Sequence, residues 1–145
     1  LDENGEAEIT SAPLAAETGK WTFTISPLRA DRRSPFTFHK TTRRQLYDRE
    51  RAAGSGDEVV FLNDRGEITE GSVTNIFIEL NGLLLTPLVS CGLLAGTFRQ
   101  DFLDRGKARE AVLTLEDMAR AEHIFLANSV RGLIPARRIF PANGI

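Results

Sequence analysis

The sequence predicts an α/β or α+β domain built on a mixed sheet, which could close into a barrel, with helices packed on its outside. Three observations support this class. Short apolar, β-branched segments recur along the chain and are separated by turn sequences, as strands are. Polar segments with few helix breakers lie between them and are typical of exposed helices. Strands slightly outnumber helices, and we find no internal repeat or low-complexity tract.

The chain begins with a polar, acidic stretch over residues 1–20, which we expect to be a linker or a peripheral strand. The candidate strand positions in it are Glu8, Ile9 and Leu14. Trp21–Ile25 alternates apolar residues with threonine, as a half-buried strand does, and Ser26-Pro27 should end it. Arg29–Pro35 is then a loop. We therefore divide the chain into an N-terminal strand and linker region, residues 1–35, and a main domain, residues 36–145.

An exposed helix is predicted over Thr41–Ala53, which is polar, highly charged and almost free of helix breakers. Two glycines, Gly54 and Gly56, follow it and are typical of a helix end. Glu58–Asn63 then has the β-branched core of a strand. The first half of the main domain should therefore place a charged helix directly before a buried strand.

Further strands are predicted for the middle of the chain. After a short turn, Ile68 begins a return strand, and Ser72–Leu80 continues it. Asn81-Gly82 is the strongest hairpin signal in the sequence, because both residues tolerate the left-handed backbone of a tight turn. Leu83–Thr86 is the next strand and pairs across that turn.

Two short helices are predicted in the second half. Thr97 as N-cap, with Gln100 three residues later, would form a capping box at the start of a helix that ends near residue 105. Thr114 and Asp117 should open a second short helix in the same way. The remaining predicted strands are Arg109–Leu113, His123–Ala127 and Leu133–Ile139.

Composition excludes several classes of function. The chain has 145 residues, 41% of them hydrophobic, and its net charge of -2 gives no basic surface for nucleic acid. The single cysteine, Cys91, excludes an internal disulfide and is expected to be a small buried hydrophobe in a cytoplasmic protein. No metal-ligand spacing, membrane-length apolar run or nucleotide-binding glycine loop is present. Because the only methionine is Met118, we expect the chain to be part of a larger protein.

Two residues could carry chemistry, although each signal alone is weak. Lys40 should lie at the end of an apolar strand, where partial desolvation would make its amine a nucleophile toward carbonyls, yet most lysines are simply solvated. Glu70 lies within an apolar strand, where a carboxylate is costly unless it meets a cation or a protonated ring nitrogen. The alternative for Glu70 is an edge position paired with an arginine.

Two further segments could bind an anion or a substrate. The turn at Gly92–Gly96 leads into a helix start, whose free backbone N–H groups form an anion site, although an ordinary capped helix explains the same pattern. Asn128 and Ser129 end a predicted strand with short hydrogen-bonding side chains, which more commonly serve turns.

The order of these segments is more informative than any one of them. HKTTRR, FLNDRGEITEGSVTNIF, CGLLAGTFR and FLANSVRGLIPA follow one another over Phe36–Ile139. In this order they resemble the fold-type IV pyridoxal-phosphate enzymes, which include branched-chain and D-amino-acid aminotransferases and 4-amino-4-deoxychorismate lyase. The resemblance is greatest to the lyase domain fused behind an aminodeoxychorismate synthase. It implies the larger, C-terminal domain of the D-amino-acid aminotransferase-like fold, with pyridoxal 5'-phosphate as cofactor.

The resemblance assigns a role to each candidate residue. Lys40 would hold the cofactor covalently and later move a substrate proton, and Glu70 would keep the pyridine nitrogen protonated. Thr97 and Phe98 would bind the phosphate through backbone N–H groups, with the Ser129 hydroxyl beside them. The remaining residue, Asn128, would lie on the substrate side of the cofactor.

The implied activity is conversion of 4-amino-4-deoxychorismate to 4-aminobenzoate and pyruvate in folate biosynthesis, without a metal. Such enzymes are usually homodimers, and a smaller N-terminal domain absent here would complete the site. Two positions depart from the aminotransferase pattern: Gln45 stands where a tyrosine is usual, with Tyr47 two residues later, and Phe98 replaces a threonine. The alternatives are a branched-chain or D-amino-acid aminotransferase and a non-catalytic structural or interaction fragment.

Overall fold

The computed structural model of the chain describes residues 4–7, 9–14 and 19–140. Within these residues the strands are β1 (Trp21–Ala30), β2 (Glu58–Asn63), β3 (Ile68–Gly71), β4 (Asn75–Leu80), β5 (Leu83–Pro87), β6 (Arg109–Ala111), β7 (His123–Asn128) and β8 (Gly132–Arg138). The helices are α1 (Gln45–Ala53), α2 (Thr97–Asp104) and α3 (Leu115–Arg120), with short 3-10 turns at Pro35–Phe38 and Val89–Cys91.

The eight strands that the described residues form make one mixed sheet in the order β3-β2-β1-β8-β7-β4-β5-β6. Strand β1 is parallel to both of its neighbours, β2 and β8, whereas β4 is antiparallel to β5 and β7. The outer strands approach each other, since the Ile68 N–H at the start of β3 donates to the Leu113 carbonyl just after β6 at 2.7 Å. The sheet is thus curled, and the predicted mixed α/β class is confirmed.

Alternate residues of β2 and β4 pack on opposite faces of the sheet. Val60 and Ile76 belong to the main core, which α3 covers with Met118. Their neighbours in sequence belong to other clusters: Phe61 packs against α1, and Phe77 packs against α2. Helices α1 and α2 therefore pack on the face of the sheet opposite to the one that α3 covers. The first turns of α1 and α2 reach the site described below.

The first strand is longer than the sequence indicated. We expected Ser26-Pro27 to end it, but β1 continues to Ala30. Its pairing with β2 shifts register between Ile25 and Arg29, and the intervening Pro27 is exposed. Because an irregular stretch of strand tolerates a residue without an N–H, the proline interrupts the ladder locally without ending the strand.

The segment around Lys40 also differs from expectation. A 3-10 turn, not an apolar strand, precedes Lys40, whose side chain is exposed. Helix α1 begins at Gln45 rather than at Thr41. The Thr41 hydroxyl accepts the Arg43 N–H at 3.2 Å, and this local turn competes with helix formation.

Some of the predicted turns and helix caps are confirmed, and one is wrong. Asn81 has φ 52° and Gly82 has φ 70°, which confirms the tight hairpin. Thr114 and Asp117 form the predicted capping box. The capping box at Thr97 is wrong: Gly96 is the N-cap, and no side chain caps α2. The prediction that Ser72–Leu80 continues the strand begun at Ile68 is also wrong. Residues 72–74 separate β3 from β4, and β4 lies in another part of the sheet.

The described residues before β1 contain no strand, and two of the candidate strand positions, Ile9 and Leu14, are 90% and 57% exposed. The third, Glu8, lies outside the described residues. Strand β1 falls within the proposed N-terminal region and lies inside the sheet, between β2 and β8. The division at residue 35 stays a prediction. No helix in the described ranges is long and apolar enough to cross a membrane.

Candidate active site

A cavity of about 610 Å³ opens at one end of the sheet, between the first turns of α1 and α2. Four stretches of chain line it: residues 36–47, 70–75, 94–98 and 127–130. The sequence-predicted site residues Lys40, Glu70, Thr97, Phe98, Asn128 and Ser129 all lie on its wall. Segments that are far apart in sequence therefore meet around one space.

The sheet register brings these segments together. Asn75 at the start of β4 pairs with Ala127 near the end of β7, so that both strand ends open on the cavity. Two side-chain amides fasten the neighbouring loops: Asn75 Nδ2 donates to the Leu94 carbonyl at 2.8 Å, and Asn128 Nδ2 donates to the Val73 carbonyl at 3.3 Å. The cavity wall is thus held by hydrogen bonds between loops as well as by the strands.

Glu70 is the buried acid of the cavity and is only 8% exposed. Its carboxyl accepts hydrogen bonds from the Leu94 N–H at 3.0 Å and the Tyr47 hydroxyl at 3.2 Å. Burial raises the pKa of Glu70 to about 8, although these hydrogen bonds and Arg44 oppose the shift. A cationic group placed beside this carboxyl would be stabilised by it, because the partner would offset the cost of burying the charge.

Tyr47 is a site residue that the sequence analysis did not assign. Because α1 starts four residues later than predicted, Tyr47 lies in its first turn and packs on Phe61, with ring centroids 4.6 Å apart. Burial raises the pKa of the Tyr47 hydroxyl well above its usual range, so it remains a hydrogen-bond donor to Glu70 at neutral pH. The available signal was Leu46-Tyr47, an apolar pair in an otherwise charged helix.

A second acid, Glu58, was also missed and is fully buried next to the cavity wall. Its carboxyl accepts the Ser72 N–H at 2.9 Å, the Val73 N–H at 3.1 Å and the Thr74 hydroxyl at 2.8 Å. The Ser72 hydroxyl also contacts this carboxyl. Glu58 therefore holds the link between β3 and β4, which lines the cavity.

Cations predominate among the charged groups that line the cavity. Among the described residues, Lys40, Arg43 and Arg44 lie on its wall with one carboxyl, that of Glu70. The Arg44 guanidinium donates to the Ser72 carbonyl and lies 3.8 Å from Asp48. In a chain of net charge -2, this concentration of positive charge favours an anionic ligand.

The start of α2 supplies the geometry of a phosphate site. Thr97 Oγ1 and Ser129 Oγ lie 2.6 Å apart, beside backbone N–H groups that have no acceptor within the helix. The N-cap, Gly96, allows the Asn75 side chain to lie close to the start of α2, because a Cβ at residue 96 would lie 2.3 Å from Asn75 Oδ1. No group of His, Cys, Asp and Glu in the described part of the chain is arranged to hold a metal ion.

The chain matches the amino-transferase class IV family over residues 3–139 and belongs to that family. A Mesorhizobium loti structure, provisionally named an amino-acid aminotransferase, is 42% identical with a TM-score of 0.81, over 88% of this chain and 63% of that one. Aminodeoxychorismate lyase from Saccharomyces cerevisiae is 31% identical, over 83% of this chain and 38% of the yeast protein. A branched-chain aminotransferase from Thermoproteus uzoniensis is 25% identical with a TM-score of 0.73, over 83% of this chain and 44% of that one.

The class IV family consists of pyridoxal-phosphate-dependent enzymes that include both lyases and aminotransferases. The chain spans only 32% and 61% of the length of two further relatives, from Thermotoga maritima and Schizosaccharomyces pombe. What the whole protein does is therefore a matter for proposal.

The cavity fits pyridoxal phosphate on its own chemistry. Lys40 presents an exposed amine to the cavity, and Glu70 provides a buried carboxyl that forms no ion pair with a described residue. The paired hydroxyls of Thr97 and Ser129 at the start of α2 suit a phosphate. The amine, the carboxyl and the hydroxyls would bind the aldehyde, the ring nitrogen and the phosphate of the cofactor, respectively.

Proposed function

We propose that the protein is a pyridoxal-phosphate-dependent lyase that converts 4-amino-4-deoxychorismate to 4-aminobenzoate and pyruvate. The observation that carries the proposal is the placement of Lys40 and the buried Glu70 on one cavity, with the helix start at Thr97 on the same wall. When bound, pyridoxal phosphate would supply an electron sink for the charge left when a carbon–hydrogen bond is broken.

Each residue has a separate task in this proposal. Lys40 Nζ would hold the cofactor through its aldehyde carbon and, when free, would take a proton from the substrate ring carbon. The Glu70 carboxylate holds the proton on the ring nitrogen, and Tyr47 fixes the carboxylate by its 3.2 Å hydrogen bond. Backbone N–H groups of Thr97 and Phe98 and the Ser129 hydroxyl bind the phosphate.

Two yeast lyases favour this candidate by the extent of their sequence similarity, although a Bacillus subtilis lyase matches over only 59% of the chain. Similarity to the lyases of Schizosaccharomyces pombe and Saccharomyces cerevisiae runs over 90% and 83% of this chain. Similarity to the branched-chain aminotransferases of Thermotoga maritima and Escherichia coli covers 57%. The second candidate is an aminotransferase, which the Mesorhizobium loti likeness at 42% identity favours.

The test uses the intact protein with added pyridoxal phosphate. We expect a visible absorbance band, which borohydride reduction fixes on Lys40 and peptide mapping locates there. We also expect release of pyruvate and 4-aminobenzoate, and Lys40→Ala should abolish both signals. The control is Lys20→Ala, an exposed lysine outside the cavity. Amino transfer to 2-oxoglutarate without pyruvate release would favour the aminotransferase, and label scattered over several lysines would contradict both candidates.

Three further features of the intact protein belong to the same proposal. It is a cytoplasmic homodimer, it carries a smaller N-terminal domain that closes over the substrate, and it is fused to an aminodeoxychorismate synthase. Light scattering of the intact protein would measure the dimer, and sequencing of the complete reading frame would reveal both additional domains. A monomer or a reading frame without these domains would contradict the respective feature.

A further inference from the structure

Arg43 is a cation of the cavity that the proposed reaction leaves unused. It lies on the cavity wall three residues after Lys40 and is exposed. Its guanidinium stacks on the exposed ring of Phe36, 4.5 Å from the ring centroid. It forms no ion pair with any residue that the structure describes. A planar, permanently charged group is thus held at the cavity without an anion.

Arg44, the other arginine of the cavity wall, is already engaged. Arg44 donates to the Ser72 carbonyl and lies close to Asp48. Arg99, in the first turn of α2, is buried and does not line the cavity; its Nη2 bonds to the Pro87 carbonyl and to Glu110, whereas its Nε and Nη1 have no hydrogen-bond partner among the described residues. Of the two arginines that line the cavity in the described part of the chain, Arg43 therefore has the guanidinium that is available to a ligand anion.

The chemistry of the guanidinium suits a carboxylate. Its two parallel N–H groups match the two oxygens of a carboxylate, and stacking on an aromatic ring fixes its plane. Phe36 supplies that ring from the preceding 3-10 turn, so the fork is oriented before the ligand arrives. Stacking costs the guanidinium none of its hydrogen-bond donors.

A phosphate is the other anion that the cavity is proposed to bind. The hydroxyls proposed above to bind the phosphate belong to Thr97 in α2 and to Ser129 just after β7, and they lie 2.6 Å apart. Arg43 instead belongs to the segment that carries Lys40, the residue at which the substrate reacts. Its position in the chain favours the substrate as the source of the anion.

We propose that Arg43 binds a carboxylate of the substrate and so selects carboxylated amines. The inference rests on the proposed function and deepens it, because 4-amino-4-deoxychorismate carries carboxylates that its aromatic product partly retains. Arg43 acts in binding and orientation and transfers no proton, since a guanidinium stays charged at all working pH values.

The test compares Arg43→Gln and Arg43→Lys in the intact protein loaded with pyridoxal phosphate. We expect Arg43→Gln to raise KM for 4-amino-4-deoxychorismate about tenfold or more with a much smaller change in kcat, because it removes a charge-assisted hydrogen bond to the substrate. Arg43→Lys should recover part of the loss, since it restores the charge without the fork. The matched control is Arg49→Gln, an exposed arginine on α1 outside the cavity.

Direct ligand binding separates this inference from the reaction itself. Calorimetry should show that the wild-type protein binds 4-aminobenzoate more tightly than aniline, which lacks the carboxylate, and that Arg43→Gln abolishes the difference. This comparison holds even if the lyase assay fails, in which case the proposed function falls and the carboxylate site stands. An equal preference for 4-aminobenzoate over aniline in the wild-type protein and in Arg43→Gln would overturn the proposed carboxylate site. A loss of affinity for pyridoxal phosphate but not for unphosphorylated pyridoxal would also overturn it, because Arg43 would then serve the cofactor.

Discussion

The hydroxyl of Tyr47 lies 3.2 Å from Oε1 of Glu70 and joins the first turn of α1 to the end of β3. Both groups are largely buried, and burial raises the pKa of each. The phenol can donate while the carboxyl accepts, and the Leu94 N–H donates to the other carboxyl oxygen. The orientation of the buried acid is therefore set from two sides before any ligand binds.

The first prediction concerns Tyr47→Phe, which removes this donor and keeps the packing of the ring. Because the hydrogen bond from Tyr47 lowers the pKa of Glu70, we expect that pKa to rise above about 8 in the cofactor-free variant. Carboxyl-carbon NMR as a function of pH measures it, and the resonance lost in Glu70→Gln identifies the signal. An unchanged or lower pKa would show that Tyr47 does not hold the carboxylate.

The second prediction is a loss of stability with rising pH. Burial raises the pKa of Glu70 to about 8 in the folded protein, from the ordinary value of 4.5 that applies to the unfolded chain. Between these values the folded state retains a proton that the unfolded state has released, so this contribution to stability is full below pH 4.5 and is lost as pH rises through 8. In cofactor-free protein, the melting temperature should therefore fall less from pH 5 to pH 8 in Glu70→Gln than in wild type.

The control for this comparison is Glu122→Gln, because Glu122 is exposed and lies outside the cavity. Its melting temperature should follow the wild-type curve across the same pH values. Parallel curves for wild type and Glu70→Gln would show that the proton on Glu70 does not contribute to folding.

The third prediction concerns Glu58→Gln, a change of nearly equal shape. The new amide NH₂ would face N–H and hydroxyl donors from residues 72–74 that the carboxylate now accepts. We expect the free energy of unfolding to fall by about 2–4 kcal/mol, since buried donors lose their acceptor. Urea denaturation measures the change, with Glu116→Gln on the exposed surface of α3 as the control. A loss below about 0.5 kcal/mol, the range of neutral surface changes, would contradict the assignment.

The fourth prediction tests the proposed phosphate site. Ser129→Ala removes the hydroxyl that lies 2.6 Å from Thr97 Oγ1. We expect the affinity for pyridoxal phosphate to fall about tenfold, because one hydrogen bond to a charged group is lost. The affinity for unphosphorylated pyridoxal should change little, and Ser55→Ala, on an exposed turn, should leave both unchanged. Equal losses for the two compounds would place Ser129 away from the phosphate.

The fifth prediction concerns Gly96→Ala at the start of α2. The new Cβ would lie 2.3 Å from Asn75 Oδ1, so Asn75 must move and give up its 2.8 Å bond to the Leu94 carbonyl. We expect a loss of about 1–3 kcal/mol in the free energy of unfolding, together with weaker binding of pyridoxal phosphate. Gly19→Ala is the control, because its Cβ would meet nothing within 4 Å among the described residues. A variant as stable as this control would contradict the close approach.

Features decided by neighbouring residues could be predicted from the sequence. The turn at Asn81-Gly82 and the capping box of Thr114 depend on residues within three positions, and both are confirmed. The sequence left open whether Glu70 is buried or lies at an edge, and the structure shows that it lies on the outer strand β3 and is 8% exposed. The roles of Lys40 and the other site residues stay predictions, although one cavity brings them together.

Features decided by distant partners could not be predicted. The Thr97 hydroxyl meets Ser129, 32 residues away, instead of capping its own helix. Pro27 is tolerated inside β1 because the register with β2 shifts there, which depends on a strand that begins at Glu58. Tyr47 reaches Glu70 only because α1 starts late, and Glu58 acts on a turn that follows it by fourteen positions.

The place of β8 in the sheet has a consequence for the order of folding. Among the strands that the described residues form, Gly132–Arg138 comes last in sequence, yet it lies between β1 and β7 and joins β3-β2-β1 to β7-β4-β5-β6. During synthesis, the two groups of strands cannot be joined through β8 until Gly132–Arg138 has been made. Contacts that span nearly the whole chain carry a large loop-closure entropy, so assembly is slow compared with local hairpins. Cavity walls drawn from both groups, Glu70 from one and Asn128 from the other, therefore become part of one continuous sheet only after β8 is in place.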